Sequence, residues 1–194
     1  MRLMKTVYLT GAPAAGKSTT ARLLKQQIPG LKIWEYGAEL TRYVKERAQI
    51  GSQADLRRLS ANVVTPEDVA AVDKELLEFV NTNRGTYPIV IDSHPVTKED
   101  FGYRITAFSE AQVKALAPDE IWVLFTPPNV TVERINSDAE GRPQIDHEEA
   151  RMHTSLQAGV AATYGVAIGR PVYLFDSSID QAALIRRLGD RLSR

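Results

Sequence analysis

The run Gly11-Ala12-Pro13-Ala14-Ala15-Gly16-Lys17-Ser18 constrains this chain more than any other feature. It satisfies G-x-x-x-x-G-K-[ST] at every fixed position, between an apolar stretch, Thr6–Thr10, and an amphipathic one, Lys17–Gln27. Glycine at 11 and 16 lets the backbone turn so that its N–H groups point inward, as a cradle for phosphate oxygens. The following helix adds the positive end of its dipole. Lys17 then brings an ammonium to the β and γ phosphates of ATP, and Ser18 offers a hydroxyl to Mg2+. Residues 11–18 and Thr19 are the expected ATP-binding set. The alternative, a glycine-rich turn with no ligand, fits poorly with a strand before it and a helix after it.

The rest of the chain alternates short apolar runs with longer helical stretches, the pattern of a parallel α/β sheet. Strands are expected at Thr6–Thr10, Leu31–Glu35, Pro88–Asp92, Glu120–Phe125 and Pro171–Phe175. Ile89-Val90-Ile91 and Ile121-Trp122-Val123-Leu124-Phe125 are continuously apolar, as strands covered on both faces are. Helices are expected at Lys17–Gln27, Tyr36–Gln49, Pro66–Asn83, Ser109–Ala117, Asn129–Ser137, Asp146–Tyr164 and Ser178–Leu192. Thr65-Pro66-Glu67-Asp68 supplies a start signal: an N-cap hydroxyl, proline at the first position and acid in the first turn.

No composition shift or repeat divides the 194 residues, so one domain is expected. Two segments read as irregular: His94–Phe108, and the polar stretch 137–146 hinged by Gly141 and Pro143. Ligands of open α/β sheets bind beyond the carboxyl ends of the strands, where such loops lie. Asp92 ends an apolar strand, the position from which P-loop proteins hold magnesium.

Composition removes several classes. With no cysteine there can be no disulfide, cysteine-zinc site or thiol nucleophile, which suits a reducing cytoplasm. Twenty-four basic and 24 acidic side chains cancel, which argues against binding long nucleic acids. No apolar run reaches the roughly 20 residues needed to span a bilayer, and the first is too short for a signal peptide, so a cytoplasmic location is expected. His147 and His153, six apart, lack metal-ligand spacing and read as structural, while Tyr164 and Met152 read as core.

A wider set of residues resembles the archaeal-type adenylate kinases, within the nucleoside monophosphate kinases of the P-loop NTPase superfamily. These are Tyr36-Gly37, the segment Asp55-Leu56-Arg57-Arg58-Leu59-Ser60, Asp92-Ser93-His94, Gly102-Tyr103, Leu116-Ala117-Pro118-Asp119-Glu120-Ile121 and Ala161-Ala162-Thr163-Tyr164-Gly165-Val166. Their order and spacing match across most of the chain. The resemblance implies an α/β P-loop NTPase fold: a five-stranded parallel sheet with helices on both faces and a short lid. It implies phosphoryl transfer from ATP to AMP with Mg2+, an acceptor-binding insertion at about residues 36–84, a lid at about 137–146, and a homotrimer. Position by position, Arg57 would bind the acceptor phosphate, with Arg58 beside it. Tyr36, Gly37, His94, Gly102 and Tyr103 would border the acceptor, Arg134 and Arg142 would join Lys17 in catalysis, and Ser18 and Asp92 would hold the metal. The sequence departs from the family in keeping one arginine, Arg142, in its lid, and in placing Arg104 after Gly102-Tyr103.

Taken alone, the residues leave two other readings open. A P-loop kinase acting on a hydroxyl acceptor (a nucleoside, a metabolite or a nucleic-acid 5′ end) would use Asp92 as base. A nucleotide-dependent switch ATPase would hydrolyse slowly and bind a partner.

Overall fold

The computed structural model describes residues 4–48, 64–137 and 144–192. In chain order these form β1 (Thr6–Gly11), α1 (Lys17–Gln27), β2 (Lys32–Glu35), α2 (Tyr36–Ala48), α3 (Pro66–Asn83), β3 (Ile89–Asp92), β4 (Val96–Glu99) and β5 (Gly102–Ile105). Then come α4 (Glu110–Leu116), β6 (Glu120–Phe125), α5 (Pro128–Asn136), α6 (His147–Ile168), β7 (Val172–Asp176) and α7 (Gln181–Leu192).

Five strands make one parallel sheet in the order β2-β3-β1-β6-β7. Alternation along each strand divides the core into two layers. On one face Tyr8, Trp34, Ile89, Ile91, Ile121 and Val123 meet Val72, Leu76 and Val80 of α3, Val113 and Leu116 of α4, and Ala161 and Tyr164 of α6. On the other, Val7, Leu9, Val90, Trp122 and Leu124 meet Leu24 of α1 and Leu184, Ile185 and Leu188 of α7. Ile121 through Leu124 are wholly buried because helices cover both faces. This is the P-loop NTPase fold. Helix α3 starts at the expected N-cap, Thr65, and the Asp68 side chain reaches back to Thr65 N to complete a capping box, a device worth about 1 kcal/mol.

Three expectations need correcting. The segment 94–108 is not irregular: β4 and β5 pair antiparallel, Val96 with Ile105 and Glu99 with Gly102. Each strand brings only one aliphatic side chain, so the hairpin lacks an apolar pattern. Its stabilising contacts include the Arg104–Glu99 ion pair at 2.8 Å and packing on α6. Helix α6 does not stop at Tyr164; it runs to Ile168 and ends on Gly169 at φ 63°. Gly165 lies inside the helix, where a Cβ would come within 2.4 Å of Val172 Cγ2, so its role is close packing on β7 rather than termination. Met152 is 52% exposed and not core, while Tyr164 is 4% exposed and is.

Candidate active site

β1 is the middle strand, and its carboxyl end opens into the loop 11–16. Gly11 is required by packing, since a Cβ there would lie 2.4 Å from the Leu124 carbonyl oxygen. The turn closes with Ala15 N donating to Ala12 O at 3.2 Å, and Ala14 adopts φ 61°. Gly16, at φ 79°, is the N-cap of α1 and has no side chain with which to occupy the first-turn N–H groups. Lys17 folds back over the loop, its Nζ donating to Gly11 O at 2.9 Å. Ser18 is exposed and Thr19 half-buried.

Arg134 and Ser177 fasten the loop through its carbonyls. Arg134, in the last turn of α5, donates from Nη1 to Ala14 O at 3.0 Å and from Nη2 to Ser177 O at 2.9 Å. Ser177, just past β7, donates from Oγ to Ala15 O at 2.8 Å. Two loop carbonyls are thus taken by donors from α5 and from the end of β7. Ser177 was not expected from the sequence. A serine after a strand is common, and its partner lies 162 residues away.

Asp92 ends β3 level with Leu9 of β1, and Ser93 N donates to Leu9 O at 3.0 Å. The residue is 8% exposed. Burial pushes its carboxyl above the ordinary carboxylate value; Lys17 pulls it down and Glu35 pushes it up. A buried carboxylate whose ionised form burial disfavours, on the strand next to the one that leads to the exposed hydroxyl of Ser18, supplies the oxygen donors that suit Mg2+. The residues present therefore fit that ion.

Two of the acceptor-side candidates follow the carboxyl ends of neighbouring strands, Tyr36 after β2 and His94 after β3. Tyr36 begins α2 directly after β2; its Oη donates to Asp73 at 2.7 Å and its ring meets Phe108 edge-on at 5.6 Å. Asp73 also accepts from Gln112, so α2, α3 and α4 are joined at one carboxylate, whose pKa burial pushes up. Burial and the same aspartate drive the Tyr36 phenol up. Gly37 O accepts from Thr41 Oγ1 at 2.6 Å. His94 is exposed immediately after buried Ser93. Gly102 opens β5 at φ 134°, and Tyr103 is half-buried with Oη donating to Glu149 O at 2.9 Å. Arg57, Arg58 and Arg142 lie outside the described residues.

Sheet, phosphate loop and the acid on the neighbouring strand together define a P-loop phosphotransferase. The profile of the AAA domain family matches residues 10–151, more than half of the chain, and the chain belongs to that family. It is 26% identical to the adenylate kinase of Pyrobaculum aerophilum, over 76% of this chain and 72% of that one. It is 23% identical to the adenylate kinases of Pyrococcus furiosus and Pyrococcus abyssi, over 90% of this chain and 87% of each of theirs. The resemblance read from short segments thus extends along most of the chain, at low identity. No helix among the described residues is long and apolar enough to cross a membrane.

Proposed function

We propose that this phosphotransferase is a cytoplasmic nucleoside monophosphate kinase, with ATP as donor and AMP as its preferred acceptor. What carries the reading is the complete phosphate loop beside Asp92, in a chain similar over 90% of its length to proteins named adenylate kinase.

In this reading the loop amides and Lys17 offset the charge of the triphosphate. Arg134, whose guanidinium lies beside Gly16 and holds the Ala14 carbonyl, adds its charge to that of Lys17. Arg57 and Arg58 grip the acceptor phosphate, for which a guanidinium fork is suited. Arg142 covers the donor, while Tyr36, Gly37, His94, Gly102 and Tyr103 border the acceptor. Ser18 and Asp92 would hold Mg2+, which when bound offsets charge on the phosphate oxygens. An oxygen of the acceptor phosphate attacks the γ phosphorus in line, and the bond to the β–γ bridging oxygen breaks. That nucleophile is already ionised, so no general base is needed.

A second reading has one observation in its favour. The raised carboxyl of Asp92 would also suit a base that takes a proton from a hydroxyl acceptor. Turnover with AMP, dAMP, GMP, CMP, UMP and dTMP, and with nucleosides and a 5′-hydroxyl oligonucleotide, separates the two. AMP is expected to be fastest, and Lys17→Ala to abolish transfer while leaving the fold intact. A hydroxyl acceptor that consumes ATP where no monophosphate does would overturn the proposal.

A further inference from the structure

Helix α6 carries Glu149, His153 and Gln157 four residues apart, on one stripe. All three hold the β4–β5 hairpin. Glu149 pairs with Lys98 at 2.7 Å, and its carbonyl accepts from Tyr103 Oη. His153 Nε2 lies 3.1 Å from Val96 O, and its ring meets Tyr103 edge-on at 5.3 Å. Gln157 Nε2 donates to the same Val96 O at 3.3 Å.

Gln157 differs from the other two in what its second end does. Its Oε1 accepts from Thr10 Oγ1 at 3.1 Å, and Thr10 is the residue before Gly11 of the phosphate loop. Both side chains are 0% exposed. Burying an amide costs free energy unless its hydrogen bonds are replaced, and an apolar side chain would fill the same space without that penalty. Here both ends of the amide are satisfied, each by a different segment of chain. The span between Asp92 and the hairpin is consequently pinned twice: Ser93 N to Leu9 O at its start, and Val96 O to Gln157 at its end. His94 lies between those two pins.

We propose that Gln157 is a positioning residue for phosphoryl transfer, fixing the hairpin and His94 against the strand end that carries the donor loop. The acceptor side of this inference rests on the proposed function; the donor side rests on the phosphate loop alone. In-line transfer is sensitive to placement, and a misplacement of about 1 Å far from the reacting atoms can lower the rate about 100-fold.

The test uses the full chain with Gln157→Met, which keeps the side-chain length and removes both polar ends, and Thr10→Val, which removes the shared bond from the other partner. If one variant fails to fold, the other still decides. Amide hydrogen exchange over residues 96–105 is followed with and without a non-hydrolysable ATP analogue and Mg2+. In the wild type the analogue slows exchange in the hairpin; in the variants that protection is lost while analogue affinity stays within about twofold. With AMP present, kcat falls by about tenfold or more and KM for ATP is little changed. Hairpin protection equal to wild type would overturn the proposal. So would a loss of analogue binding, since Gln157 would then support the loop itself rather than its relation to the hairpin. A wild-type enzyme that phosphorylates no monophosphate defeats the proposed function instead, and the exchange measurement, which needs no acceptor, still decides Gln157.

Discussion

Asp92 is placed where the folded chain by itself gains least from it. Its carboxyl is buried and its pKa raised, so it disfavours its own ionised form. For an acid raised on folding, stability declines as pH climbs from the unfolded value, 3.8, through the folded one, and the deficit remains at neutral pH. Asp92→Asn is therefore expected to raise the thermal midpoint of the nucleotide-free protein at pH 7, while the Mg2+ needed for half-maximal transfer increases. A lower midpoint would show that the carboxylate is stabilised by contacts other than Lys17. Such a trade between stability and activity marks sites built for a ligand. Ser177 behaves in the opposite sense. Ser177→Ala leaves the Ala15 carbonyl without its hydroxyl donor, and is expected to cost about 1 kcal/mol of stability and to weaken ATP binding. Denaturant midpoints and nucleotide titration check the two effects separately. Of these two residues only Asp92 was legible in the sequence, because a carboxylate at the end of an apolar strand has a recognisable chemical use. Ser177 acts through a backbone carbonyl, and backbone carbonyls leave no mark in a sequence.

Among the elements, helices and buried strands were readable because their apolar periods are set by the sheet they cover. Their expected bounds agree to within a few residues, α6 excepted. The β4–β5 hairpin was not readable, since its stability comes from α6 rather than from its own alternation. The stripe on α6 gives that dependence a pH signature. Burial depresses His153 below its ordinary value of 6.5, with Lys17 and Lys98 acting in the same direction and the Val96 carbonyl opposing. A base depressed on folding is protonated first in the unfolded chain, so its contribution is intact above about pH 6.5 and is lost as pH falls through the folded value. Urea midpoints are expected to fall between pH 7 and pH 5 in the wild type, and to fall less in His153→Gln, which can still donate to Val96 O. Equal slopes would show that the imidazole is not protected. Gly165 supplies a second element-level test. Gly165→Ala places a methyl against Val172 and the Arg170 carbonyl, and is expected to destabilise by about 1–3 kcal/mol.

At the scale of the molecule, one strand joins everything. β1 lies between β3 and β6, and its carboxyl end opens into the phosphate loop, so the proposed donor and metal residues, Lys17 and Asp92, are reached from adjacent strand ends. That strand order could not be read from the sequence, in which β1 and β3 are separated, among the described residues, by three helices and an edge strand. The same centrality predicts how the chain unfolds. The two core layers share the sheet, so neither can come apart without exposing the other's strands. The two tryptophans report on them separately, Trp34 from the layer under α3 and Trp122 from the layer under α7. Single-tryptophan variants, Trp34→Phe and Trp122→Phe, are expected to show coincident denaturation midpoints after correction for each substitution's own cost. Under the proposed function ATP with Mg2+ binds only the folded chain, and at a hundred times its dissociation constant it adds about 2.7 kcal/mol. It should move both transitions equally, and move neither in Lys17→Ala. Midpoints that separate, or a nucleotide shift confined to Trp122, would mean that the α3 layer opens independently of the loop. The acceptor side would then be ordered by its substrate rather than by the fold.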